Sequence, residues 1–366
     1  MHLMRVLHVV AADRWTGAAA VALQLAEAQR AAGVDVVFCC RGGDTLAARV
    51  AGRDWARPVL AKERTPGDFA ASLGALRSLA RGCDVVHTHL PHDHLLARLA
   101  LRPLPGLLLV RSVRRDRHLR RDPYQRWLFH RIDGVGLCHA GLAPRAARLL
   151  GDRGVPVRVL PPAVRPGFAP ARSREATRAA LGLPTAAIVA GTLGKLDRDR
   201  GQDVFLRALA AAPGVRGLII GDGPNRAGLE TLARRLGVAD RVVFAGFVDE
   251  GLADLLAALD LFVFPAAGSD HGHRALVEAA ACGVPALAAG LTGVTAVLRP
   301  GETGDLFPPD DAAALAVQVL AWASDRQRLE RAGDAARSLA AGWSGAALAT
   351  AAEELYSAAG SHRETT

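Results

Sequence analysis

LDLFVFPAAGSDHGHRALVEAAACGVPALAAG, residues 259–290, reads as strand, helix, strand. Two apolar runs of strand length, LDLFVFP (259–265) and VPALAAG (284–290), flank a helical stretch, and strands joined through a helix run parallel. The helical stretch is apolar all round, with Ala275, Leu276, Val277, Ala279, Ala280 and Cys282, and one carboxylate, Glu278, stands among them. An unpaired buried carboxylate is expensive unless it neutralises itself. Glu278 is therefore read as kept for a ligand. The loop from Asp270 to Arg274 brings free amides to the start of the helix, and a carboxylate beside them can accept hydrogen bonds from a vicinal diol such as a ribose, with no salt bridge required.

The same alternation extends in both directions. AAIVAGTLG (186–194), RGLIIGDG (216–223) and RVVFAGF (241–247) precede it; further upstream lie RVLHVV (5–10), VDVVFCC (34–40), DVVHTH (84–89), GLLLVRS (106–112) and GVGLC (134–138). Helical runs such as AAAVALQLAEAQRAAG (18–33) separate them. This pattern predicts parallel sheets covered on both faces. VLPPAVRPGFAPARS (159–173), with four prolines, interrupts the series and reads as a hinge. The expected α/β architecture is two doubly wound, Rossmann-like domains facing a cleft, 1–165 and 166–345, followed by C-terminal helices. Residues 346–366 are expected to form a terminal helix, capped by Ser344 and packing back on the N-terminal domain, before a loose SHRETT tail. In such sheets ligands lie at the carboxyl ends of strands, here in the cleft.

Composition narrows the class. Half of the 366 residues are hydrophobic, and no apolar run approaches the ~18 residues of a membrane span. The opening MHLMRVLHVVAADRW has no basic n-region and is expected to be the first strand rather than a signal peptide. Cys39, Cys40, Cys83, Cys138 and Cys282 contain no CxxC pair, which predicts buried thiols in a cytoplasmic protein. The net charge is +9, and eight arginines fall within residues 111–131. That cluster suits anionic lipid at the inner face of a membrane, a peripheral contact, or a phosphorylated saccharide. Nucleic acid is not expected, because only Tyr124, Trp127 and Phe129 interleave the arginines.

Several short stretches carry candidate chemistry. GTLGKLDRDRGQD (191–203) follows a strand and opens a helix near Gly201; Lys195 and Arg200 on its loop make a phosphate trap with the helix N-terminus. GDGPNRAGLE (221–230) is a glycine-rich turn without a dinucleotide fingerprint. Thr16 and Gly17 precede a helix and could approach a phosphate. DVVHTHLPHDH (84–94) holds four histidines, and His87 and His89 share one face of a strand. The spacing matches no zinc grid, so no metal is expected there, and His89 with Asp93 reads as an acceptor site at a strand end.

Taken in order, these motifs resemble the family-4 (group 1) glycosyltransferases of GT-B fold, retaining enzymes that use nucleotide-diphosphate-sugars. Lys195 and Arg200 have the spacing of the family pair that grips the donor diphosphate. IIGDGPNRAGLETLARRLGVADRVVFAGFV is similar to the next strand–helix–strand unit, whose backbone around Gly246, Phe247 and Val248 would meet the nucleobase. The 259–290 stretch is similar to the family's two-acid signature, with Asp270 in the first position and Glu278, the ribose-binding acid, in the second. The signature's Gly-Phe-Gly reads His271, Gly272, His273 here, and Arg274–Ala275 fits a branch with a Ser-Asp-Gly-x-x-Arg-Ala version. The later Gly-Gly-x-x-Glu element reads TGVTA (292–296), without an acid, and Arg114 stands where related members place a histidine near the donor sugar. The resemblance implies transfer to a saccharide or lipid-linked acceptor in cell-envelope glycan, lipopolysaccharide or other polysaccharide synthesis, without metal or cofactor. Lys195, Arg200, Asp270 and Glu278 would be catalytic. Thr16, Gly17, Gly246–Val248 and His271–Arg274 would hold the donor, and His89, Asp93 and Arg114 would face the acceptor. A nucleotide-sugar epimerase of the same fold, or a non-catalytic nucleotide-sugar binder, are the alternatives.

Overall fold

The computed structural model describes residues 3–12, 15–101, 106–248, 250–266 and 273–365. The chain divides into two compact units. One ends at Ala163 and takes in the chain again from Ser344; the other is Val164–Trp343.

The first unit is built on seven strands: β1 (Arg5–Val10), β2 (Asp35–Arg41), β3 (Ala56–Leu60), β4 (Val85–Thr88), β5 (Leu108–Val113), β6 (Gly134–Leu137) and β7 (Val157–Val159). All pairings are parallel, in the order β3-β2-β1-β4-β5-β6-β7. The strand order reverses between β1 and β4, which makes their carboxyl ends the crevice of this sheet. The central strands are buried on both faces, so they read as continuous apolar runs. One face is covered by the helix Gly17–Ala31 and by the last helix, Gly345–Glu364. Leu348, Leu355 and Tyr356 of the latter pack with Val6, Leu25, Val85 and Val110.

Ser344 caps that last helix, its Oγ accepting from Ala347 N at 3.1 Å. The expectation of a loose tail is corrected: Ser361–Glu364 continue the helix. Arg363 donates to the Leu107 carbonyl and fixes the final turn against the sheet.

The second unit holds β8 (Ile188–Leu193), β9 (Val215–Ile220), β10 (Val242–Gly246), β11 (Leu261–Phe264), β12 (Ala286–Ala289) and β13 (Gly304–Phe307). They too are parallel, ordered β10-β9-β8-β11-β12-β13, and here the order reverses between β8 and β11. Two apolar clusters, one on each face, fill this unit; Phe262 and Val277 mark one, Phe205 and Trp322 the other. Within it Asp260 ties helix Arg174–Ala180 to the sheet, accepting from Arg178 Nη2 at 2.6 Å and from Val189 N at 2.7 Å.

Candidate functional site

In the second unit, the loop after β8 and the loop after β11 meet at the point of strand-order reversal. Lys195 and Arg200 lie on the first, and the second leads into the helix Arg274–Ala281. Gly201 ends the first loop at φ +72°, and a side chain there would put Cβ 2.1 Å from the Pro265 carbonyl oxygen. Only glycine permits both that backbone angle and that approach. Next door, Cβ atoms at Gly221 and Gly223 would lie 2.0 Å and 2.3 Å from the carbonyl oxygens of Gly194 and Leu196. The glycines of GDGPN therefore let two loops touch, which is the structural reading of that turn.

Lys195 is half-exposed, and its Nζ donates to Asp197 Oδ2 at 2.7 Å. That hydrogen bond, with one from Arg198 N, holds the Asp197 carboxyl below its ordinary range. Arg200 Nε lies 3.8 Å from Asp199. Both cations thus sit beside acids of their own loop that an incoming diphosphate could replace.

Glu278 is 5 % exposed, one turn into its helix. The expectation of an unpaired carboxylate is corrected. Arg274 Nε donates to Glu278 Oε1 at 2.8 Å, and Arg165 Nη2 lies 3.7 Å from the same oxygen. Arg274 reaches it because residues four apart share a helix face; Arg165 arrives from the proline-rich stretch, where no sequence periodicity points to it. His273, also buried, stands at φ +47°, a left-handed conformation uncommon for a residue with a side chain, and its ring meets Phe264 edge-on at 5.9 Å. Asp270, His271 and Gly272 lie outside the described residues. Gly246, at φ +76°, follows a bulge in β10 and accepts from Gly221 N at 2.8 Å; Phe247 beside it is 72 % exposed.

In the first unit, the predicted acceptor residues gather at the carboxyl ends of β1, β4 and β5. Asp93 is fully buried. Its Oδ1 accepts from Ala11 N at 2.7 Å, and its Oδ2 from Leu90 N at 2.8 Å and His89 N at 3.3 Å. Burial pushes its carboxyl up to about 7, against the pull of those amides and of Arg111. Thr16 caps the helix Gly17–Ala31 through Ala19 N at 3.2 Å, and the space a Gly17 side chain would fill is open.

His8, which sequence reading passed over, joins His87 and His89. It pairs with His87 in register across β1 and β4, and the three rings lie 4.4–5.4 Å apart. His8 Nε2 bonds Gln29 Oε1 at 2.7 Å, and its Nδ1 meets His89 Nε2 at 2.9 Å. With Gln29 Oε1 accepting, the proton of His8 lies on Nε2. His89 then donates through Nε2, which leaves its Nδ1 a bare acceptor. That Nδ1, and the Nε of half-buried Arg114, have no hydrogen-bond partner. His87 is held by Tyr356 Oη at 2.7 Å and Ser112 Oγ at 2.8 Å. Burial keeps all three imidazoles below their ordinary range, His8 at about 4 despite Gln29, and Arg114 adds to the effect on the other two. The three could converge on a metal ion. Coordination would have to displace the hydrogen bonds that already engage five of their six ring nitrogens.

A family profile described as Glycosyl transferases group 1 matches residues 173–339, and one described as Glycosyltransferase Family 4 matches 15–178. The D-inositol 3-phosphate glycosyltransferase of Streptomyces scabiei is 38 % identical over 208 residues, 52 % of this chain and 46 % of that protein. Its namesake from Mycobacterium bovis is 40 % identical over 149 residues, 39 % of this chain and 30 % of that protein. The chain thus spans about half the length of the curated relatives it matches, or less. Among solved structures, the Anabaena protein HepE in complex with UDP superposes with a TM-score of 0.85 at 19 % identity, over 97 % of this chain and 100 % of that one. Sucrose-phosphate synthase from Thermosynechococcus elongatus gives 0.79 at 21 % identity, over 97 % and 98 %. These two share the fold. Together the two profiles span residues 15–339, and the chain belongs to the group 1, family-4 glycosyltransferases, built from two parallel α/β units of the GT-B type.

Proposed function

We propose that this protein moves a sugar, with retention at the anomeric carbon, from a nucleotide-diphosphate-sugar to a saccharide or lipid-linked acceptor, and that it needs no metal or cofactor. Negative charge develops on the diphosphate as the bond to the anomeric carbon breaks. Lys195 and Arg200, with the amides at the start of helix Gln202–Ala210, stabilise that charge. Glu278 takes the ribose hydroxyls, Gly246–Val248 the base, and Asp270 with His271–Arg274 the sugar. Thr16 and Gly17 complete the donor side, and His89, Asp93 and Arg114 receive the acceptor. Asp93 acts there by holding His89, since its own oxygens already serve three amides. A place in cell-envelope glycan synthesis, in the cytoplasm at the inner face of a membrane, is part of the same reading. The exposed, stacked pair Tyr124 and Trp127, amid the arginines of 111–131, supports peripheral contact with anionic lipid.

One observation carries the reading. Two cations and a buried acid flank a single strand-order reversal, the place where open α/β sheets take ligands. Melting shifts across UDP-, GDP- and ADP-sugars identify the donor, because a ligand of the folded state raises the transition. Transfer is then followed with saccharides and, given the relatives' names, D-inositol 3-phosphate. Replacing Lys195 and Arg200 together by Ala is expected to lower turnover by roughly 100-fold or more; unchanged turnover discards the assignment. The anomer of the product decides retention, and epimerised sugar formed without acceptor moves the protein to the epimerase alternative.

A further inference from the structure

At the opposite edge of the first unit's sheet lies a cavity that the reaction does not use. It opens at the amino ends of β5, β6 and β7, roughly 20 Å along the strands from His89 and Arg114, at ~3.3 Å per residue. Its volume is about 610 Å³, and Leu107, Ile132 and Val155 form an apolar floor. Arg98, Arg131, Arg153 and Arg363 line it, with Asp133 as the acid facing them.

Helix ends account for part of that charge. The helices Pro91–Ala100, Pro123–Phe129, Ala143–Leu150 and Gly345–Glu364 all finish at this edge, carbonyls outward. Arg153 answers two of these ends directly, donating to Leu150 O at 2.9 Å, Phe129 O at 2.9 Å and His130 O at 3.0 Å. The partial negative charge of the other helix ends and the Asp133 carboxyl offset part of the remaining guanidinium charge, and His130 and His362 line the same cavity. Guanidinium groups over an apolar floor suit a phosphate that carries hydrocarbon better than a neutral sugar. The surroundings point the same way. Arg98 stacks 4.5 Å over the Trp127 ring, and Trp127 with Tyr124 forms an exposed aromatic pair of the kind found at lipid headgroup level.

We infer that this cavity binds the phosphodiester headgroup of an anionic phospholipid, a site separate from the one assigned to glycosyl transfer. The full chain titrated calorimetrically with monomeric dihexanoyl phosphatidylglycerol is expected to show saturable one-site binding. Dihexanoyl phosphatidylcholine, glycerol 3-phosphate and inorganic phosphate should each bind at least 10-fold more weakly. Arg131→Glu reverses an exposed charge at the rim, and Val155→Trp fills the floor; each should weaken the lipid at least 10-fold while the melting shift with the sugar donor persists. Absence of saturable lipid binding, equal binding of phosphate or phosphatidylcholine, or wild-type affinity in both variants overturns the inference. None of these results touches the transferase reading, which the donor assays decide.

Discussion

Glu278 is accommodated inside an apolar helix because two guanidinium groups share one of its oxygens, and they are unequal. Arg274 donates at 2.8 Å from a third-exposed position; Arg165 stands off at 3.7 Å and is 40 % exposed. Arg274→Ala leaves a 5 %-exposed carboxylate without its close donor, and denaturant titration should show a loss of about 1–3 kcal/mol. Arg165→Ala should stay under about 1 kcal/mol, the range of an exposed pair. Equal losses would mean that the two arginines share the charge evenly. Gly201 gives a sharper contrast. Ala there meets both a left-handed φ of +72° and a Cβ contact of 2.1 Å, whereas Gly33 has φ +89° with nothing within 4 Å. Gly33→Ala should therefore lower stability by about 1 kcal/mol and Gly201→Ala by at least twice that. Donor affinity should fall only in the second, because only it pushes Pro265 away from the loop that carries Lys195 and Arg200.

The last helix covers the centre of the first unit's sheet. Leu355 is fully buried against β6, and Tyr356 closes the bond to His87. Leu355→Ala should cost about 2–5 kcal/mol and Tyr356→Phe about 1–2, measured by urea unfolding, with Ser344→Ala near 1. Which elements the sequence made legible follows from burial. The central strands, covered on both faces, are apolar runs, and reading them needed only length and flanking turns. The three strands absent from that reading, β3, β7 and β13, are all sheet edges. ARPVL in β3 buries only its two end residues and carries Pro58; VRV in β7 has two exposed residues out of three. An edge strand needs no apolar run and tolerates proline, so no pattern marked it. The site divides in the same way. The placing of Lys195 and Arg200 on a βα loop and of Glu278 on a buried helix face was legible because both features are local. Arg165, His8, Gln29 and Tyr356 were not, because each meets its partner through register or tertiary packing.

At the scale of the whole molecule, the two units differ in how they should meet acid. His8, His87, His89, His94 and His139 are all buried in the first unit, and burial holds each below the ordinary imidazole range, His8 at about 4. Such a group resists protonation when folded but accepts a proton when unfolded. The stability it supports is complete above about 6.5 and is lost as pH falls from there toward its folded value. Asp93, pushed up to about 7, acts in the opposite sense over the same window, because its folded form holds a proton that the unfolded chain releases above about 4; burial raises Asp133 in the same direction. Five imidazoles outnumber two carboxyls, so between about pH 6.5 and 4 the first unit should lose stability on acidification. The second unit contains only His271 and His273 of the chain's twelve histidines, and its transition should move less. Trp15, Trp55 and Trp127 report on the first unit, Trp322 and Trp343 on the second. Calorimetry from pH 7 to 4.5, with single-tryptophan variants followed by fluorescence, should show the first unit's transition moving to lower temperature ahead of the second's. His8→Gln, which keeps a hydrogen-bonding side chain but cannot titrate, should flatten that slope. A second-unit transition that falls first, or a slope unchanged by His8→Gln, would show that the imidazole cluster is not what makes the protein acid-sensitive.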